Sequence, residues 1–117
     1  MTEHPAVELS TEDAKLVTLA RATRARTNAA QGAAVRDTDG RTYAAATVAL
    51  PSLQVSALGV CVAMAIASGS AGLEAAVVLG AESVDETDAA IVRDFAGPGV
   101  VLHVGDVRGT VTSTTAS

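Results

Sequence analysis

The 117-residue sequence predicts one α/β domain, a three-layer α-β-α sandwich around a mixed sheet, in the order α-β-β-α-β-α-β. Three observations predict it. Two short strand-like runs flank Asp37-Thr38-Asp39-Gly40, and Asp-Gly between such runs is a hairpin signal. An apolar helical run follows, with no charged residue between positions 42 and 73. After it, strand and helix patterns alternate, which calls for crossover connections and a parallel pair.

The elements follow in order. Residues 1–9 read as a flexible leader, 10–108 as the single domain, and 109–117 as a polar, threonine-rich flexible tail. Ser10 caps a first helix, and Glu12 and Asp13 fall in its first turn, where the macrodipole favours acids. Leu16, Leu19, Ala20 and Thr23 form its stripe. Residues 33–36 and 42–48 are the hairpin strands. Pro51-Ser52 then opens a central helix that runs to Ala67 and is apolar on every side, so it belongs in the interior. Gly59 inside it implies close approach of another backbone, since glycine otherwise costs a helix about 1 kcal/mol. Residues 74–79 read as a buried strand. Ser83-Val84-Asp85-Glu86 matches a capping box for a third helix carrying Ala89, Ile91, Val92 and Phe95. Gly97-Pro98-Gly99 stops that helix, and residues 100–104 form the last strand.

Composition excludes several functions. The net charge is −5, and Tyr43 and Phe95 are the only aromatic residues. A reader of nucleic acid by base stacking needs more rings. Residues 74–108 carry seven acids against Arg93 and Arg108, a balance that repels phosphate. The one basic cluster, Arg21, Arg24 and Arg26, reads as a solvated helix end. The uncharged stretch is broken by Pro51, Gln54, Ser56 and Ser68, and its clean part is shorter than the roughly 20 residues a bilayer needs. With no basic flank or leading signal sequence, the expectation is a soluble, cytoplasmic protein. High alanine and arginine usage with one lysine suggests a bacterial source. One cysteine, Cys61, excludes an intrachain disulfide framework, and two histidines, His4 and His103, exclude a three-histidine metal site. Cys61 reads as a small buried hydrophobe, and His103 as a hydrogen-bonded core histidine.

The stretch Gly32-Ala33-Ala34-Val35-Arg36-Asp37-Thr38-Asp39-Gly40-Arg41-Thr42-Tyr43 resembles the first hairpin of the small homotetrameric cytidine deaminases. Ala65-Ile66-Ala67-Ser68-Gly69 is similar to the end of that family's central helix. Asp94-Phe95 before Gly97-Pro98 is similar to the end of its next helix. The likeness covers roughly residues 10–106.

The resemblance implies a zinc ion that activates water, held by a His or Cys at one helix start and two cysteines of a Pro-Cys-x-x-Cys turn. It implies a glutamate two residues after the first ligand as the proton shuttle, an Asn-x-Glu that reads the nucleoside, and a homotetramer. This sequence departs from each motif. Alignment by Gly69 puts Ser56-Ala57-Leu58 where Cys-Ala-Glu belongs, and an ungapped run from Gly40 puts Leu58-Gly59-Val60 there. Asp85 and Asp88 occupy the two cysteine places, and Thr47-Val48-Ala49 replaces Asn-x-Glu. Ser56, Leu58, Asp85 and Asp88 therefore mark a degenerate metal site, and Thr47 and Ala49 a degenerate nucleoside site. Hydroxyl and carboxylate donors suit Mg²⁺ or Ca²⁺ better than zinc, and first-turn acids also serve simply to stabilise a helix start.

The expectation is a non-catalytic, cytidine deaminase-like protein with no catalytic residue, metal or cofactor. It would act as a homo-oligomeric interaction module, dimer or tetramer, or bind a small ligand. Two alternatives are a nucleoside-deaminating family hydrolase with an atypical site, and a weak RNA-binding module using Arg21, Arg24 and Arg26.

Overall fold

The computed structural model describes residues 7–117. Most of the expected leader, residues 1–6, lies outside the described residues. Val7 N–H donates to the Val111 carbonyl at 3.0 Å.

Three helices and seven strands follow in the order α1 (Thr11–Thr27), β1 (Gly32–Asp37), β2 (Thr42–Ala46), β3 (Val48–Leu50), β4 (Leu53–Val55), α2 (Ala57–Ala67), β5 (Leu73–Leu79), α3 (Glu86–Ala96), β6 (Val101–Gly105) and β7 (Val111–Ala116). The main sheet has the order β2-β1-β5-β6-β7. Its β5–β6 pair is parallel and the other pairs are antiparallel. This is the mixed sheet that the hairpin and the crossover pattern predict.

Side chains that alternate along a strand serve opposite faces of the sheet. Ala34, Ala75, Val77 and Leu79 pack with Leu16 and Ala20 of α1. Ala33, Val35, Ala76, Val78 and Leu102 pack with Leu58, Cys61, Val62 and Val92 of α2 and α3. The domain is thus three layers, with α1 on one face and α2 and α3 on the other. Small residues let the layers close up. At Gly32 a Cβ would collide with the Ala20 carbonyl oxygen and with Arg24 Cβ, so glycine sets how closely α1 lies on β1.

Three local expectations are corrected. First, α2 starts at Ala57 and not at Pro51. Residues 48–55 form a hairpin in which Val48 pairs with Val55 and Leu50 with Leu53. Val48, Leu50, Leu53 and Val55 repeat at a strand period, and Pro51-Ser52 supplies the turn. Second, α3 is capped by Asp85 rather than Ser83, because Asp85 Oδ1 accepts from Thr87 N at 2.9 Å. Glu86 does not close a capping box and instead bonds Arg93 at 2.6 Å. Third, residues 109–117 do not form a flexible tail, since β7 pairs along β6 from Val101↔Ala116 to Gly105↔Val111. The turn between them is built by Asp106, whose Oδ1 accepts from Arg108 N and Thr110 N. The threonines that made this segment look loose are good strand formers.

Among the described residues, no helix is long and apolar enough to cross a membrane.

Candidate functional site

Helices α2 and α3 start at the same end of the molecule. Ser56 caps α2, its Oγ accepting from Gly59 N at 3.0 Å. The same hydroxyl donates to Asp88 Oδ1, in the first turn of α3, at 2.6 Å. Asp88 is only 6% exposed. A buried carboxylate must be paired or hydrogen-bonded to be tolerated, and Ser56 supplies that bond. Gly59 makes the arrangement possible, because a Cβ there would stand 2.9 Å from Ser56 Oγ. The close approach expected at Gly59 is therefore to a side chain, not to another backbone.

The other residues singled out in the sequence do not join this pair. Asp85 is exposed and caps its own helix. Leu58 is fully buried in the core. Thr47 Oγ1 accepts from Gln31 N at 3.1 Å and ties the end of β2 to the start of β1. Ala49 is exposed on β3. Cys61 lies in the middle of α2, fully buried, and burial pushes its thiol up to about 12. Among the described residues no three His, Cys, Asp or Glu side chains converge as metal ligands.

Two polar networks went unforeseen. On the α1 face, His103 Nε2 meets Asp13 Oδ2 at 2.8 Å, and its Nδ1 meets Thr114 Oγ1 at 2.8 Å. Arg36 Nη2 donates to Asp13 Oδ1 at 3.0 Å, and its Nε donates to Glu74 at 3.2 Å. Burial works to raise the Asp13 pKa, but hydrogen bonds and charge from His103 and Arg36 outweigh it and hold it low. A histidine in a buried strand demands such partners, yet nothing in the sequence pairs position 103 with position 13.

The second network surrounds Asp37, which is fully buried. Its Oδ2 accepts from Ser70 Oγ at 2.5 Å and from Tyr43 Oη at 3.2 Å, and its Oδ1 accepts from Asp39 N and Arg41 N at 2.9 Å. The Ser70 hydroxyl, more than any other contact, holds this carboxyl below its ordinary value. The network joins the first hairpin to the segment following α2.

The guanidiniums of the basic cluster are partly occupied. Arg24 Nε donates to the Ala29 carbonyl at 2.9 Å, and Arg21 Nη1 to the Arg108 carbonyl at 3.4 Å.

Two surface cavities stand apart from Ser56 and Asp88. One, of about 520 Å³, is lined by Ala81, Glu82, Asp106, Thr112 and Ser113 at the carboxyl ends of β5 and β6. The other is a groove of about 330 Å³ between α2 and α3, lined by Val62, Ile66, Ile91, Asp94 and Phe95.

A mixed five-stranded sheet between one helix and two, with both paired helices starting at one end, defines a three-layer α/β class. Within that class, the family model for cytidine deaminase-like domains matches residues 9–109, and the chain belongs to that family. Among solved structures, it is similar to a cytidine deaminase from Burkholderia pseudomallei, with a TM-score of 0.78 and 20% identity over 92% of this chain and 93% of that one. A cytidine deaminase from Mycobacterium leprae matches with a TM-score of 0.72 and 19% identity, over 92% of this chain and 94% of that one. At such identities the likeness establishes the fold. Comparison with curated proteins finds no match.

Proposed function

We propose that this chain is a non-catalytic member of its family, acting as a homo-oligomeric interaction or small-ligand-binding module in the cytoplasm. The observation that carries this reading is the 2.6 Å bond from Ser56 to Asp88. In the register set by Gly69, Ser56 takes the place of the first zinc ligand, and its position as the cap of α2 supports that register. Asp85 and Asp88 then take the places of the two cysteines. This donor set does not fit zinc. Ser56 and Asp88 satisfy each other, Asp85 is spent on its own helix start, and hydroxyl and carboxylate are poor substitutes for thiolates at a tetrahedral zinc.

The proton shuttle is missing in the same register. Leu58 replaces the glutamate and has no proton to hold or give. Thr47 bonds Gln31, and Ala49 has no polar side chain, so neither supplies the amide and carboxylate that Asn-x-Glu offers a nucleoside.

The test is turnover. Purified protein supplied with zinc should convert neither cytidine nor deoxycytidine to its uracil counterpart above the buffer rate. Zinc-dependent conversion that scales with protein concentration would overturn the reading.

A further inference from the structure

Thr114 sits on the α1 face of the sheet. It pairs across the strands with His103, which pairs with Val77, and Val77 packs under α1. Helix α1 packs on β1, β2 and β5, and its first turn reaches β6 through Asp13. β7 is the last strand of the sheet, and Thr114 is exposed on it. An open hydroxyl thus stands beside a buried histidine, which is only 5% exposed.

The bonds fix the direction of the protons. Asp13 is ionised, because burial raises its carboxyl but the bonds from His103 and Arg36 outweigh it. A carboxylate only accepts, so the 2.8 Å contact to Asp13 Oδ2 places a proton on His103 Nε2. In the neutral ring Nδ1 is then the acceptor, and the Thr114 hydroxyl 2.8 Å away donates to it. Arg36 holds the other Asp13 oxygen at 3.0 Å, which fixes the carboxylate's orientation. Hydroxyl, base and orienting carboxylate follow one another, the arrangement that activates a weak nucleophile.

The backbone adds a donor. Ser117 N–H bonds inward to the Val100 carbonyl. Alternation along β7 turns Thr115 and Ser113 inward too, and Thr114 N–H toward the open edge. An N–H beside its own hydroxyl suits the negative oxygen that forms when a carbonyl is attacked. Neither surface cavity is lined by Thr114, so the acyl group that fits is small.

We infer that Thr114, His103 and Asp13 form a nucleophilic relay, and that Thr114 accepts a small acyl group from an activated ester or thioester. Thr114 Oγ bonds to the carbonyl carbon as its proton passes to His103 Nδ1, and Asp13 stabilises the charged ring. The bond from that carbon to the leaving oxygen or sulfur then breaks. The leaving atom keeps the electron pair and takes the proton from Nδ1, which returns the ring to its neutral form. Acyl transfer modifies the chain and calls for no turnover. It goes beyond the proposed function, which concerns the starts of α2 and α3, and does not depend on it.

The probe is 4-nitrophenyl acetate. Peptide mapping of the native chain should find acetyl on Thr114 about 100-fold faster than on Thr112 or Thr115, exposed hydroxyls of the same strand. Thr114→Ser should keep the rapid release of one equivalent of 4-nitrophenol, and Thr114→Val should lose it. His103→Gln should slow acetylation of Thr114 about 100-fold. Acetyl spread evenly over the three threonines, or a folded His103→Gln chain that matches the wild type, overturns the relay. Where circular dichroism shows His103→Gln unfolded, the variants at exposed Thr114 decide: a Thr114→Val chain that still releases the equivalent overturns the proposal.

Discussion

The Ser56 hydroxyl donates to Asp88 Oδ1 at 2.6 Å, across the starts of α2 and α3. One side chain thus caps a helix and satisfies a buried carboxylate on its neighbour. Ser56→Ala removes both contacts. Losing an N-cap costs about 1 kcal/mol, and stranding a buried acceptor costs about 1–3 kcal/mol. The variant should lose about 2 kcal/mol or more in urea denaturation. A loss under about 0.5 kcal/mol, the size of an ordinary surface change, would mean the bond is not formed.

Gly32 offers a second test, on the opposite face of the sheet. A methyl there meets the Ala20 carbonyl and Arg24 Cβ, both part of a helix that cannot move alone. Gly32→Ala should destabilise by about 2 kcal/mol or more, as overpacking does. Gly40 is the control, since no atom lies within 4 Å of a Cβ there, although its φ of +85° strains any other residue. Equal losses at the two sites would show that packing of α1 is not the cause.

Asp13 and Asp37 make stability depend on acid. Burial raises the Asp13 pKa, but its bonds to His103 and Arg36 bring the net value down, and Ser70 chiefly lowers Asp37. A carboxyl depressed in the folded state contributes stability that is complete above its unfolded value, about 3.9. That contribution is lost as pH falls through the lower, folded value. Thermal midpoints should therefore fall as the medium drops below about pH 4. Asp13→Asn should flatten part of that slope, and an unchanged slope would show that the α1 network does not carry it.

Cys61 should be nearly inert. Its thiol is buried in α2 and pushed up to about 12, so the reactive thiolate is scarce at neutral pH. A colourless thiol reagent that absorbs on release should label the native chain about 1000-fold more slowly than the unfolded chain. Comparable rates would place the thiol at the surface.

Much of this fold is legible because local signals agree with it. Asp-Gly marks the first hairpin, and the uncharged run contains α2, which is buried on its inner face but exposed at Ala63, Ile66 and Ala67 rather than buried on every side. The boundaries misread were those where one residue type serves two roles. Pro51 opens a helix or turns a hairpin, and the period of Val48, Leu50, Leu53 and Val55 decides for the hairpin. The threonines of β7 suit a loose tail or a strand, and the Asp106 turn decides for the strand. In the candidate site, the spacing of Asp85 and Asp88 was visible. That only Asp88 faces Ser56 was not, because it depends on where α3 begins. The bond between Asp13 and His103 spans the whole domain, and no local pattern encodes it.

Metal content tests the proposal that Ser56, Asp85 and Asp88 do not hold zinc. The chain should be purified from zinc-supplemented cells, desalted, and weighed intact by native mass spectrometry. The mass should be that of the bare polypeptide, and should be unchanged after incubation with excess zinc and a second desalting. One zinc retained per chain, and lost on Asp88→Ala, would contradict the proposal.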